Sequence, residues 1–245
     1  MVKSSRRIIK VAMDTNVIID LSTLYFASER TNELMQKHKE HAKTLQRYLT
    51  LIENGDMEII ILPTVMMEIE ELSKNFGNRP YQFLFKTKTN FYRYQPCSRH
   101  ELKNFTNQVI ELSESYCHTI KPDAKDPCYK KYYINLKNKG VGYSNANTPF
   151  FRTYNHRPSL DSRIMAEATV LGLNLITHDY DFTCGNLPLR IQSYNQAYAG
   201  KKSRPYSPDE YLKIIDKKRT QKINSKEHAY NVCEVRNCIS TMDLA

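Results

Sequence analysis

The chain opens on an apolar run from Ile8 to Met13, interrupted by Lys10, that stops abruptly at Asp14-Thr15-Asn16. Apolar residues then return with helical spacing at Val17, Ile18, Leu21, Leu24 and Tyr25. The first half predicts a short buried strand and the second a helix from Thr15 to about Phe26. A strand followed directly by a helix commits the chain early to helices packed on a sheet. Asp14 stands at the junction. In an open α/β sheet the carboxyl ends of strands face the ligand crevice, so an acid there is placed for chemistry. Asp is equally a good helix cap, and at this point both uses are open.

The same alternation continues. Thr31 to Asn54 predicts a longer helix, with Leu34, Leu45, Leu49 and Ile52 apolar and a charged middle, Lys37-His38-Lys39-Glu40-His41. His38 and His41 are spaced to share a helix face as metal ligands, but no third ligand is in view and exposed histidines are the commoner outcome. Gly55 closes that helix, Met57 to Leu62 predicts a second strand, and Pro63 opens a helix with Val65, Ile69 and Leu72 inward. This β-α-α-β-α opening favours a parallel sheet covered by helices. Further on, Ser159 to Gly172 predicts a helix carrying Asp161 in its first turn, with Ile164, Ala168 and Leu171 inward. Asn174 to Thr177 predicts a strand running into Thr177-His178-Asp179-Tyr180-Asp181-Phe182, and Leu189 to Gln192 a last core strand.

Strand-Asp-Thr-Asn, a mid-chain acid, Asp before an Ala-containing helix, then strand-Thr-x-Asp-x-Asp-Phe: this order and spacing resembles the PIN-domain nucleases. Residues 8–79 and 158–195, about half of the chain, carry the resemblance. It implies a three-layer α/β/α fold around a mostly parallel sheet, forming a nuclease domain over 1–199. A largely helical or irregular insertion at 80–157 would interrupt it, and 200–245 would form a basic helix and tail. It further implies that Asp14, Glu68, Asp161 and Asp179 are catalytic carboxylates that bind Mg²⁺ or Mn²⁺, with Asp181 as an added ligand or supporting acid. Glu71-Leu72 is a second match for the glutamate position. Asn16 and Thr177 match residues that orient the acids, while His178 is expected to alternate away from them.

Those residue types suit the chemistry. Hydrolysis of a phosphodiester needs an activated water and a stabilised leaving oxygen, which divalent cations held by carboxylates provide. Carboxylates converging in a cleft repel one another until a cation joins them. The resemblance implies an endoribonuclease working by two-metal catalysis and leaving 5′-phosphate and 3′-hydroxyl ends. It would be either the toxin of a toxin–antitoxin pair, with the antitoxin as partner, or an RNA-processing enzyme. A flap-type DNA nuclease and a non-catalytic nucleic-acid-binding protein are the alternatives. The lack of a Gly-rich DNA clamp counts against the first, the intact acid set against the second.

Charge places the substrate. Residues 80–157 hold 13 Lys and Arg against five Asp and Glu, giving +8 of the net +10, together with nine Tyr and six Phe. Interleaved cations and aromatic rings suit single-stranded or looped RNA. Arg152, Tyr154 and Arg157, next to the third acid motif, are expected to contact substrate, and Phe83, Phe85 and Phe105 to pack. Ser98-Arg99-His100-Glu101 is a capping box opening a helix to about Ser115, and Ser207-Pro208-Asp209-Glu210 another, opening a basic helix to about Arg219. No apolar run approaches the ~20 residues that span a bilayer, and the first apolar stretch is too short for a signal peptide. Six cysteines without Cys-x-x-Cys spacing, in a chain with no secretory signal, point to a cytoplasmic protein without disulfides. Self-association and protein partners are left open.

Overall fold

The computed structural model describes residues 8–26, 39–76, 79–86, 91–120, 158–218 and 220–221, with Lys125 and Pro127. The expected strand and helix form β1 (Ile9–Met13) and α1 (Thr15–Tyr25). Then come α2 (Lys39–Glu53), β2 (Met57–Ile61), α3 (Pro63–Phe76), α4 (Arg79–Lys86), β3 (Phe91–Arg93) and α5 (Arg99–Thr119). The acid-bearing third motif opens α6 (Leu160–Val170), followed by β4 (Leu175–Ile176), α7 (Tyr180–Thr183), α8 (Leu187–Ala199) and β5 (Pro205–Tyr206).

The strands form one sheet in the order β3-β2-β1-β4-β5, and every adjacent pair is parallel. β1 and β2 are buried on both faces along most of their length, so they read as near-continuous apolar runs. Crossovers leave β1 in opposite directions, toward β3 first and toward β5 later. With right-handed crossovers this distributes the helices over both faces and gives three layers. α1 packs on α2 and α4; α5 and α8 pack on α6; α3 touches both α1 and α6.

Local chemistry sets the boundaries. Gly55 and Gly172, each at φ 69°, make the left-handed turns that lead from α2 into β2 and from α6 toward β4. Ser98 and Glu101 form the complete capping box expected at the start of α5. α5 runs one turn past Ser115 because Tyr116, Cys117 and Ile120 are all buried. A buried polar network ties its end to the neighbouring helices: Tyr116 Oη donates to Asn195 Oδ1 at 2.6 Å, and Asn195 Nδ2 donates to Thr169 Oγ1 and to the Ser203 carbonyl.

Three sequence expectations need correction. Leu189 to Gln192 is not a strand but lies inside α8, where Leu187, Ile191 and Asn195 are buried at a spacing of four and Leu189 is exposed. The fifth strand is instead Pro205–Tyr206. Tyr25 does not join the buried face of α1; it is exposed at the helix end, with its ring against Phe26 and Phe83. Finally, residues 80–120 do not stand apart from the core. β3 is the sheet's edge strand beside β2, and fully buried Phe83 packs on Phe91. Phe105 is buried as expected, whereas the side chain of Phe85 lies outside the described residues.

A second compact unit begins at Asp209; its residues are helical through Lys218. Among the described residues no helix is long and apolar enough to cross a membrane; Cys117 and Cys184 are buried and Cys97 is exposed.

Candidate active site

Register alone brings the first and last acid motifs together. β1 and β4 pair as Ala12↔Leu175 and Met13↔Ile176, so the next residues along, Asp14 and Thr177, are neighbours at the carboxyl edge of the sheet. Thr177 Oγ1 donates to Asp14 Oδ2 at 2.7 Å and accepts the Asp179 N–H at 3.0 Å. Asn16 Nδ2 also donates to Asp14 Oδ2, at 3.1 Å, while Asn16 Oδ1 accepts the His178 N–H at 3.3 Å. The capping use open to Asp14 is present, because its Oδ1 accepts the Thr15 N–H at 2.7 Å at the start of α1.

The other two acids come from helices. α3 carries Glu68, which accepts a hydrogen bond from Thr15 Oγ1. α6 carries Asp161 in its first turn, behind the Ser159 cap. Asp14, Glu68, Asp161 and Asp179 line one open cleft of about 480 Å³, with Glu71 also on its wall. Glu71 is exposed and Glu68 half-buried. Asp181 lies in α7, and its side chain is outside the described residues, as are Arg152, Tyr154, Arg157 and His38. The His178 ring does not line the cleft; it turns toward Asp20.

The cleft is under electrostatic stress. Burial, reinforced by the charges of Asp179 and Asp161, raises the Asp14 carboxyl from 3.8 to about 7 against the opposing hydrogen bonds from Thr177 and Thr15. Burial likewise raises Glu68, helped by Asp179 and Glu71 and opposed by Thr15. An all-oxygen donor set whose members repel one another fits a hard divalent cation. Among the described residues, the acids of the cleft do not bring three carboxylate oxygens within 4.8 Å of one another.

Two features were not foreseen. Glu167, buried in α6, accepts both the Thr64 N–H at 3.1 Å and Thr64 Oγ1 at 2.7 Å, capping from outside the helix that carries Glu68. Burial raises its carboxyl despite those bonds. A glutamate among the alanines of α6 was the available signal. The second is the meeting of Asp20, His41 and His178, three residues far apart in the chain.

No family model matches the chain, and no curated protein does. Among solved structures, a crystal structure of VapBC2 from Rickettsia felis bound to a DNA fragment from their promoter is similar to it at 13% identity. The match covers 81% of this chain and 98% of that one, with a TM-score of 0.36. So distant a likeness carries no weight for function.

Proposed function

We propose that the chain is a metal-dependent nuclease that hydrolyses phosphodiester bonds, with RNA as its substrate. The observation that supports this is the convergence of Asp14, Glu68, Asp161 and Asp179, from four separate segments, on one cleft at the carboxyl edge of a parallel sheet. Structural needs explain single acids, such as Asp14 and Asp161 near helix starts. They do not explain four acids sharing a cleft at the cost of raising Asp14 to about 7.

Asp14, Glu68, Asp161 and Asp179 would hold Mg²⁺ or Mn²⁺. Bound there, such cations lower the pKa of a water and neutralise charge developing on the phosphate. The chain's own part is positioning. Thr177 and Asn16 both donate to Asp14 Oδ2, fixing one carboxylate oxygen and leaving Oδ1 to the Thr15 N–H. Thr177 also holds the Asp179 backbone, so a single hydroxyl sets the spacing of two acids. Thr15 holds Glu68 in the same way. RNA, rather than duplex DNA, is favoured by the basic and aromatic composition of residues 80–157.

Parallel incubation of the purified chain with single-stranded RNA, hairpin RNA and flapped duplex DNA tests the choice of substrate. RNA is expected to be cut with 5′-phosphate ends, mapped by sequencing; cleavage of flapped DNA alone would replace RNA by DNA in this assignment.

A further inference from the structure

We infer that Asp20, His41 and His178 form a second metal site, separate from the carboxylate cleft and suited to a borderline transition cation such as Zn²⁺. His41 Nε2 lies 3.1 Å and His178 Nε2 3.2 Å from the same oxygen, Asp20 Oδ2. The two rings stand 4.5 Å apart, tilted by 56°, and the three ligand atoms all lie within 4.8 Å of one another. None of the three residues lines the acid cleft.

His178 adds a buried ring nitrogen to the Asp20–His41 pair. Its Nε2 is buried at ion-pair distance from Asp20 Oδ2, 3.2 Å, without good hydrogen-bond alignment to it or to another group among the described residues. A cation between the three groups would accept both imidazole lone pairs and the carboxylate at once. Two imidazoles and one carboxylate form a set that binds Zn²⁺ and leaves a position for water. Mg²⁺ prefers oxygen ligands, so the two sites sort metals by donor type.

The ligands come from α1, α2 and the turn after β4, so a bound ion would tie together three segments separated by up to 158 positions in sequence. His178 also precedes Asp179, and its N–H bonds Asn16, which holds Asp14. The site therefore stands behind the acid cleft and shares its backbone, while contributing no ligand to it. This inference does not rest on the nuclease assignment, since its readout is metal binding.

The full chain, stripped of metal and dialysed against Zn²⁺ with Mg²⁺ in excess, should retain one Zn²⁺ per chain and melt at a higher temperature than the stripped protein. His41→Ala and Asp20→Asn, both at half-exposed positions that the fold tolerates, should each weaken Zn²⁺ binding at least roughly 100-fold, more than the loss of a merely supporting residue. Asp14→Asn should leave it unchanged. Co²⁺ in place of Zn²⁺ should give ligand-field bands without thiolate charge transfer. Equal Zn²⁺ affinity in the wild type and both variants, thiolate charge transfer from cysteine ligation, or no retained metal would each overturn the site.

Discussion

Thr177 Oγ1 sits between Asp14 and Asp179, donating to the carboxylate of one and accepting the backbone N–H of the other. Thr177 is fully buried, and valine has nearly its shape. Thr177→Val should fold, lose about 1–2 kcal/mol from the two broken hydrogen bonds, and cut RNA roughly 10–100-fold more slowly. Thermal melting and single-turnover cleavage check the two parts separately. Unchanged cleavage would remove Thr177 from the positioning of the acids.

The pH dependence of the metal-free chain follows from Asp14. Its carboxyl is raised from 3.8 unfolded to about 7 folded, so the folded state holds this proton more tightly. The corresponding stability is fully present below about pH 4 and is lost as pH rises to about 7, with a size on the order of 4 kcal/mol. Glu68 and Glu167, also raised, act in the same direction. Melting temperature should therefore fall across this window, by roughly 2–4 °C per kcal/mol, and Asp14→Asn should flatten the fall. Mg²⁺ should raise the melting temperature more at pH 8 than at pH 5, because it needs ionised ligands. Parallel curves for the wild type and Asp14→Asn would show that Asp14 is not strained.

Glu68 and Glu71 both line the cleft, but Glu68 is half-buried, held by Thr15 and raised by burial, whereas Glu71 is exposed. Glu68→Gln should abolish cleavage, and Glu71→Gln should retain at least about a third of it, as expected of a surface substitution. Steady-state assays of the two purified variants decide. The reverse result would move the ligand one helical turn along α3.

The centre of the sheet was legible in the sequence because β1 and β2 are buried on both faces and bounded by Asp14, Gly55 and Pro63, residues with sharp conformational roles; β3 and β5, only three and two residues long, were not. The resemblance grouped Thr177 with the acids, and the register of β1 with β4 is what makes it the neighbour of Asp14. α8 was not legible, since Leu189 and Ile191 alternate as in a strand over four residues, and only the longer spacing of Leu187, Ile191 and Asn195 shows a helix. Neither was the Asp20–His41–His178 group, whose members share no local spacing and meet only through packing of α1, α2 and the turn after β4. The pairing of Glu167 with Thr64 is of the same non-local kind, 103 residues apart.

Residues 80–157 supply most of the positive charge, and each phosphate neutralised on a single strand adds about 0.7 to the slope of log affinity against log salt. Replacing Arg152 and Arg157 together with Ala should weaken RNA binding and flatten that slope by somewhat more than one unit. Tyr154→Ala should weaken binding with little change of slope, because stacking releases no counterions. Binding would be measured over a salt series with Asp14→Asn present to prevent cleavage. An unaltered slope in the double Arg variant would make this segment solvated surface.

The central claim is that the Asp14 cleft is a divalent-metal nuclease site. Its most direct test is single-turnover cleavage of a labelled RNA by the purified chain and by Asp14→Asn, each treated with chelator and then supplied with Mg²⁺, Mn²⁺ or neither. The account predicts cleavage by the wild type only when metal is returned, and none by Asp14→Asn although that variant still unfolds in one cooperative transition well above the assay temperature. Cleavage without metal, or equal cleavage by the two proteins, would contradict it.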